Sequence, residues 1–260
     1  MKFDFTGLTV VITGASSGIG REFARAMAAK GCRLIMVARR EDRMRELAGE
    51  LGVPCEILTA DLSREEECNR VIETISGQGA AVLINCAGFG LLGATVEHSL
   101  DEELSMIDLN IRAVHILTRR FLDLLKESDK GAILNVASCA GLLPAGPYLN
   151  TYYATKAYVA SFTQGLAAEL EDMRRNVYVA ALCPGPVNTE FTAVARGSQW
   201  DNGISAEKCV SYAMKQMEKG KRVIVPGFTV RAGLFFSRFL SKKAIARFVG
   251  RFQKKKAEGR

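Results

Sequence analysis

No apolar run in the 260-residue chain approaches the roughly 20 residues a helix needs to cross a bilayer. The opening Met1-Lys2-Phe3-Asp4-Phe5 lacks the long apolar core of a secretory signal, so a cytoplasmic protein is expected. Histidine is scarce: His98 and His115 are the only two, and neither stands in a metal-ligand cluster, so no metal is expected. The seven cysteines are odd in number and form no C-x-x-C pair, which argues against zinc ribbons, redox dithiols and a disulfide framework. Reduced thiols, several of them in apolar runs, are the expectation. No linker rich in Pro, Gly or Ser divides the chain, and no repeat or nucleic-acid module is present. The net charge of +7 is unevenly spread, because residues 231–260 hold ten Lys/Arg against one acid, Glu258. Basicity therefore belongs to the tail, and the rest of the chain is close to neutral. Two segments are expected: a domain over 1–230 and a basic extension over 231–260.

What is present is an alternation. Leu8–Ile12, Cys32–Ala38, Cys55–Ala60, Ala81–Asn85, Ala132–Val136, Val177–Leu182 and Arg222–Val225 are short apolar runs separated by helical patterns. Strands apolar on both faces, alternating with helices, predict an α/β fold with a seven-stranded parallel sheet covered on each side. Ser63-x-x-Glu66 and Ser99-x-x-Glu102 read as capping boxes opening two of the helices.

Between the first strand and the first helix lies Thr13-Gly14-Ala15-Ser16-Ser17-Gly18-Ile19-Gly20. Gly14 permits a tight turn, Gly18 lets backbone N–H groups approach a pyrophosphate, and Gly20 allows close helix–strand packing. The second strand ends at Ala38-Arg39-Arg40, where a cofactor with a free ribose 2′-hydroxyl would meet an acid. A guanidinium at Arg39 suits a 2′-phosphate, which favours NADP(H). Asp61-Leu62 and Asn85-Cys86-Ala87-Gly88 follow the third and fourth strands at the edge where such sheets admit ligands. Asp61 is equally readable as a helix-entry residue beside Ser63.

Ser138 ends the fifth strand, and Tyr152 precedes Lys156 by four residues. On a helix that spacing puts the phenol and the ammonium on one face, where the lysine would lower the tyrosine pKa. Tyr153 has Ala157 four residues on, so Tyr152 is the expected acid-base group. Thr13–Gly20, Asp61, Asn85–Gly88, Asn110, Ser138, Tyr152-x-x-x-Lys156 and Pro184-Gly185 together resemble the successive motifs of the classical short-chain dehydrogenase/reductase family. The resemblance runs from residue 8 to about 190 and implies a single-domain Rossmann-type, doubly wound fold, usually in a homo-oligomer.

It also implies a proton-relay tetrad of Asn110, Ser138, Tyr152 and Lys156, with Asn110 anchoring a water. Gly14, Ser16, Ser17, Gly18, Ile19, Gly20, Arg39, Asp61, Leu62, Asn85, Ala87 and Gly88 would hold the cofactor, with Tyr152 and Lys156. Pro184, Gly185, Val187 and Thr189 would hold its nicotinamide side, and residues 190–205, with Phe191, Trp200 and Gly203, would form a flap. Cys86 departs from the family pattern, which usually has Asn there, and the interval from Ser138 to Tyr152 is slightly long.

The expected activity is NADP(H)-dependent interconversion of a carbonyl and a secondary alcohol on a small lipophilic substrate, such as a steroid-like or other hydrophobic ketone. A reductase of 3-oxoacyl intermediates is a rival, and a non-catalytic NADP(H) sensor is another. In the tail, Phe235, Phe236, Phe239, Leu240, Ile245, Phe248, Val249 and Phe252 recur every three to four residues among Lys and Arg. That pattern predicts one or two basic amphipathic helices. Protein, as a pocket cover or a subunit contact, is expected to bury them in preference to a membrane, with Lys254-Lys255-Lys256 left disordered.

Overall fold

The apolar runs become the strands of one parallel seven-stranded sheet: β1 Thr9–Thr13, β2 Arg33–Ala38, β3 Cys55–Thr59, β4 Ala80–Asn85, β5 Gly131–Val136, β6 Val177–Leu182 and β9 Val223–Ile224. A computed structural model describes residues 3–126, 130–191, 195 and 203–258 of the chain. The strand order is β3-β2-β1-β4-β5-β6-β9, and every observed strand lies within a residue or two of its expected span. One feature was not anticipated: β7 Val187–Asn188 pairs in parallel with β8 Ile204–Ser205, outside the main sheet.

Because successive residues of a strand face opposite ways, each strand feeds two cores. Val10 and Ile12 pack with Phe23, Ala24 and Met27 of α1 (Gly18–Ala28) and with Cys209, Ala213 and Met217 of α7 (Ala206–Glu218). Val11, on the other face, packs with Val71 and Ile75 of α3 (Glu65–Ile75) and Leu117 and Phe121 of α5 (Val114–Leu124). Helices therefore cover both faces, with α2 (Glu41–Leu51) on the α1 side and α6 (Asn150–Asp172) against β6.

Register brings the carboxyl ends of the central strands level. Thr13 lies beside both Val37 and Asn85, and Asn85 beside Asn135. Thus the loops after β1, β4 and β5 open on one edge.

Of the two expected capping boxes, one forms. Ser99 Oγ accepts from Glu102 N, and the Glu102 carboxylate accepts from Ser99 N, each at 3.2 Å, at the start of α4 (Leu100–Ile107). Ser63 does not cap α3. Its N–H and hydroxyl both donate to Asp61 Oδ1, at 3.1 and 2.8 Å, and the helix starts two residues later. The nearer carboxylate wins the serine.

α4 passes into α5 through a wide π-helical turn, Asp108–Ala113, which carries Asn110 into the interior. The tail forms two helices, α8 Phe228–Ser237 and α9 Lys242–Ala257, the second capped by Ser241 Oγ on Ala244 N. The segment boundary expected at 230 thus falls inside α8. Lys254–Lys256, expected to be disordered, form the last turn of α9, paired in part through Lys254 and Glu258 at 3.8 Å. The expectation that protein covers the tail holds only for one stripe: Ile245, Val249 and Gln253 are buried, whereas the phenylalanines are exposed.

Asn85 was expected at the cofactor, but its side chain is directed into a buried polar network. Asn85 Nδ2 donates to Asn135 Oδ1 (2.9 Å) and Thr118 Oγ1 (3.2 Å), and Asn135 Nδ2 donates to Thr163 Oγ1 (3.0 Å). These four residues join β4 and β5 to α5 and α6. Asn135→Ala would remove three hydrogen bonds at once, leaving Asn85 Nδ2 with Thr118 alone and Thr163 Oγ1 with Val159 O alone, at about 0.5–1.5 kcal/mol for each bond lost. Urea unfolding should therefore show a loss of about 2–4 kcal/mol, with the far-UV spectrum of the folded state unchanged.

Candidate active site

A cleft of about 720 Å³ runs along the carboxyl edge of the sheet, from the β1–α1 turn to α9. At its floor the chain crosses itself without side chains. Gly14 has φ +66°, and a Cβ there would lie 2.9 Å from Ala87 N; one on Gly20 would lie 2.3 Å from Gly14 O. Gly20 thus packs against the turn itself and not against a strand. Thr13 Oγ1 accepts from the N–H groups of Cys86 and Ala87, at 3.0 and 3.1 Å, and ties the β1 and β4 loops together.

α1 begins with no side-chain cap on Ser17 and no acid in its first turn. Its first N–H groups and the positive end of its dipole are left for an anion. A loop stripped of Cβ atoms before an uncapped helix fits the diphosphate of a dinucleotide, and Gly14, Ser16, Ser17, Gly18, Ile19 and Gly20 all line the cleft there. Gly18, at φ +52°, faces Thr189, whose Cγ2 would lie 3.1 Å from an added Cβ. Pro184, Gly185, Val187 and Thr189 form the facing wall.

Beyond the helix start, Arg39, Arg40, Asp61 and Leu62 line the end where a ribose and adenine would sit. Arg39 projects outward. Arg40, one residue on, reaches Ser16 Oγ at 3.4 Å and pairs with Glu190 at 2.8 Å, and Arg43 pairs with the same carboxylate. Both guanidiniums hold the Glu190 carboxyl below its ordinary range.

At the other end α6 brings Tyr152 and Lys156 to the cleft wall, and the loop after β5 brings Ser138 opposite them. Lys156 is 5% exposed; its Nζ donates to Val136 O at 2.9 Å and lies 5.8 Å from the centre of the Tyr152 ring. Burial lowers the Lys156 pKa to about 8, with the Cys86 and Cys183 thiols opposing. The tyrosine behaves differently from expectation. Burial pushes the Tyr152 phenol up, and the opposing influence is a hydrogen bond with Ser138, not the lysine.

Asn110, expected to hold a relay water, is behind the wall. Its Nδ2 donates to Phe89 O (2.8 Å) and Thr155 Oγ1 (3.1 Å), and its Oδ1 accepts from Phe89 N (3.0 Å). It clamps the β4 loop to α6. Gly88 must be glycine for that clamp, since a Cβ would lie 2.8 Å from Asn110 Oδ1 and 3.3 Å from Lys156 Nζ.

All other residues expected at the cofactor line the cleft, Ala87 and Gly88 included; Asn85 alone among them does not. Sequence reasoning missed Cys86 as a wall residue; at the apolar end Phe191, expected in the flap, and Phe248 and Phe252, expected in a tail helix, gather with Phe89 and Leu149. The spacing Phe248–Phe252 marks a helical face, but nothing local says what that face meets. Phe191 touches the Tyr152 ring, with centroids 5.3 Å apart. Tyr153 also faces the cleft, where Gln253 Nε2 donates to its hydroxyl at 3.4 Å. Trp200 lies outside the described residues. His115 Nδ1 is engaged with Tyr158 at 2.7 Å, away from the cleft.

A buried lysine with a lowered pKa weakens the fold. Between about pH 8 and its unfolded value near 10.5 the unfolded chain binds more protons, so this group's contribution to stability rises with pH there. Lys156→Met should therefore be most stable relative to the parent below pH 8. That advantage should shrink by about 3 kcal/mol as the pH rises to 10.5, measured by denaturant unfolding of both proteins.

The profile of the short chain dehydrogenase family matches residues 8–200. Sulfoacetaldehyde reductase 2 of Chromohalobacter salexigens is 38% identical over 194 residues, 72% of this chain and 76% of that protein. A short-chain dehydrogenase from Sphingobium yanoikuyae, solved in complex with NADPH, superposes with a TM-score of 0.82 at 32% identity, over 89% of this chain and 94% of that one. The bulky-bulky ketone specific alcohol dehydrogenase from Comamonas testosteroni gives 0.77 at 28% identity, over 91% and 100%. With its motifs in one cleft of a doubly wound sheet, this chain belongs to the short-chain dehydrogenase/reductase family of oxidoreductases.

Proposed function

We propose that the protein is an NADP(H)-dependent oxidoreductase that interconverts a lipophilic ketone and its secondary alcohol. The observation that carries this is the convergence of Tyr152, Ser138 and Lys156 at one end of a cleft whose other end is a Cβ-free diphosphate cradle. Bound in that cradle, the dinucleotide supplies the hydride at its nicotinamide. The chain supplies the proton and the placement.

Tyr152, whose phenol burial pushes up, is the proton donor to the carbonyl oxygen as the carbonyl carbon is reduced. Ser138, held in the cleft wall by Ala140 N donating to its Oγ at 3.1 Å, orients the substrate oxygen beside that hydroxyl. Lys156 holds a positive charge next to a developing phenolate and favours proton release. In the reverse direction the phenolate takes the alcohol proton. Asn110 positions Phe89 and α6, so that the wall facing the substrate keeps its shape.

The apolar end of the cleft supports a hydrophobic substrate, as does the likeness to an enzyme described as specific for bulky-bulky ketones. A panel of hydrophobic ketones and 3-oxoacyl thioesters, scored by NADPH consumption, tests the reading. At least one ketone should turn over with the parent. Tyr152→Phe should lower kcat by about 10²–10⁴-fold with NADPH affinity unchanged, because only the transferable proton is lost. A dead Tyr153→Phe beside an active Tyr152→Phe overturns the assignment. No turnover of any substrate, with tight NADPH binding, would favour a sensor instead.

The cofactor preference rests on cations at the ribose end. Arg39 is exposed and unpaired by any neighbour's carboxylate among the ion pairs described, while Arg40 and Arg43 are shared with Glu190. Arg39→Ala should weaken NADPH by about ten- to 150-fold and leave NADH little changed, as expected for losing one charged hydrogen bond. Equal kcat/KM for the two cofactors in the parent would overturn this preference.

A further inference from the structure

We propose that α8 and α9 form a docking surface for an anionic phospholipid bilayer. Phe228, Phe235, Phe236, Phe239, Leu240, Phe248 and Phe252 are each between 51% and 78% exposed. On the described surface the large apolar side chains are concentrated on these two helices and the turn between them. Phe235 packs edge-on with Phe236 and Phe239, at centroid distances of 5.5 and 5.7 Å, so these three form one cluster. A soluble monomer gains nothing by leaving such a cluster in water.

α9 is nevertheless well formed and seated. Ser241 caps α9, and the Ile245–Val249–Gln253 stripe is buried against the body, with Gln253 reaching Tyr153. Gly250 lies so close to Pro147 that a Cβ would be 3.2 Å from it. The exposed side is therefore the outer side of a fixed element.

Charge selects the occupant. Arg231, Arg238, Lys242, Lys243, Arg247, Arg251, Lys254 and Lys255 are exposed around the phenylalanines, and residues 231–260 contain a single acid. A second copy meeting this face across a two-fold axis would set these cations against their own equivalents. An anionic lipid surface accepts them, and the long Lys and Arg stems let their charges reach the headgroups while the rings enter the acyl boundary. Phe248 and Phe252 also line the cleft, so docking brings its apolar mouth to the bilayer.

The test needs no turnover, so its outcome is separate from that of the proposed reaction. Full-length protein is sedimented with phosphatidylcholine vesicles that contain phosphatidylglycerol, and with pure phosphatidylcholine vesicles. Binding is expected to the anionic vesicles, to weaken in high salt, and to be much poorer with neutral ones. Lys242→Gln combined with Lys243→Gln should lower the partition coefficient by about 30-fold, at about fivefold per cation near an anionic surface. Phe236→Ser combined with Phe239→Ser should lower binding to both vesicle types. All four substitutions are on exposed positions, and sedimentation velocity without lipid reports the oligomeric state of each variant. Failure of the parent to bind anionic vesicles overturns the proposal. So does parent self-association that the phenylalanine variant abolishes, which would make a second copy the occupant. Equal binding to both vesicle types, indifferent to the lysine variant, also overturns it.

Discussion

The cleft exists because strand order reverses between β1 and β4. Crossovers from β1 lead to β2 and β3 on one side, those from β4 to β5 and β6 on the other, and the loops after β1 and β4 part over the gap. Everything at the site depends on how closely the two loops are held beneath that gap. Thr13 holds them by accepting from two consecutive amides of the β4 loop, and glycine at 14 removes the only side chain that would separate them. A dinucleotide can then lie on backbone, where N–H groups and the α1 dipole act on its charge without intervening side chains.

The reactive end is built on a buried charge. A lysine with one carbonyl partner and little water is a poor choice for stability, and its lowered pKa records that cost. The same burial pushes the Tyr152 phenol up, so one environment disfavours charge on both groups. Asn110 and the wide turn that carries it belong to the same economy. A regular helix from α4 to α5 would place the amide elsewhere, whereas the extra residue of the π turn aims it at both backbone groups of Phe89.

The tail helices complete the other end. α9 contributes Val249 and Gln253 to the wall on its inner side and Phe248 and Phe252 at the mouth. The wall of the substrate region and the most apolar exposed surface are thus neighbouring stripes of one helix. An apolar cleft wall and an apolar surface sharing an element is a geometric fact about α9, whatever meets its outer face.

What the sequence by itself determined are features whose physics is local. Seven apolar runs of strand length between helical patterns specify a two-sided parallel sheet. The glycines of 14–20 specify a turn no Cβ could enter, and the four-residue step from Tyr152 to Lys156 specifies one helix face. What only the tertiary structure decided are features that depend on partners far along the chain. Asn85 and Asn110 are both asparagines at plausible positions, yet Asn135 and Thr118 draw one into a buried network and Phe89 draws the other behind the wall. Ser63 abandons its cap for a carboxylate two residues away, and Arg40 is claimed by Glu190, 150 residues on. The pairing of Val187–Asn188 with Ile204–Ser205 has no signature in either dipeptide. Periodicity shows that a helix in the tail has an apolar face, but a hydrogen-bonding group or a ring is assigned its partner only when the chain closes around it.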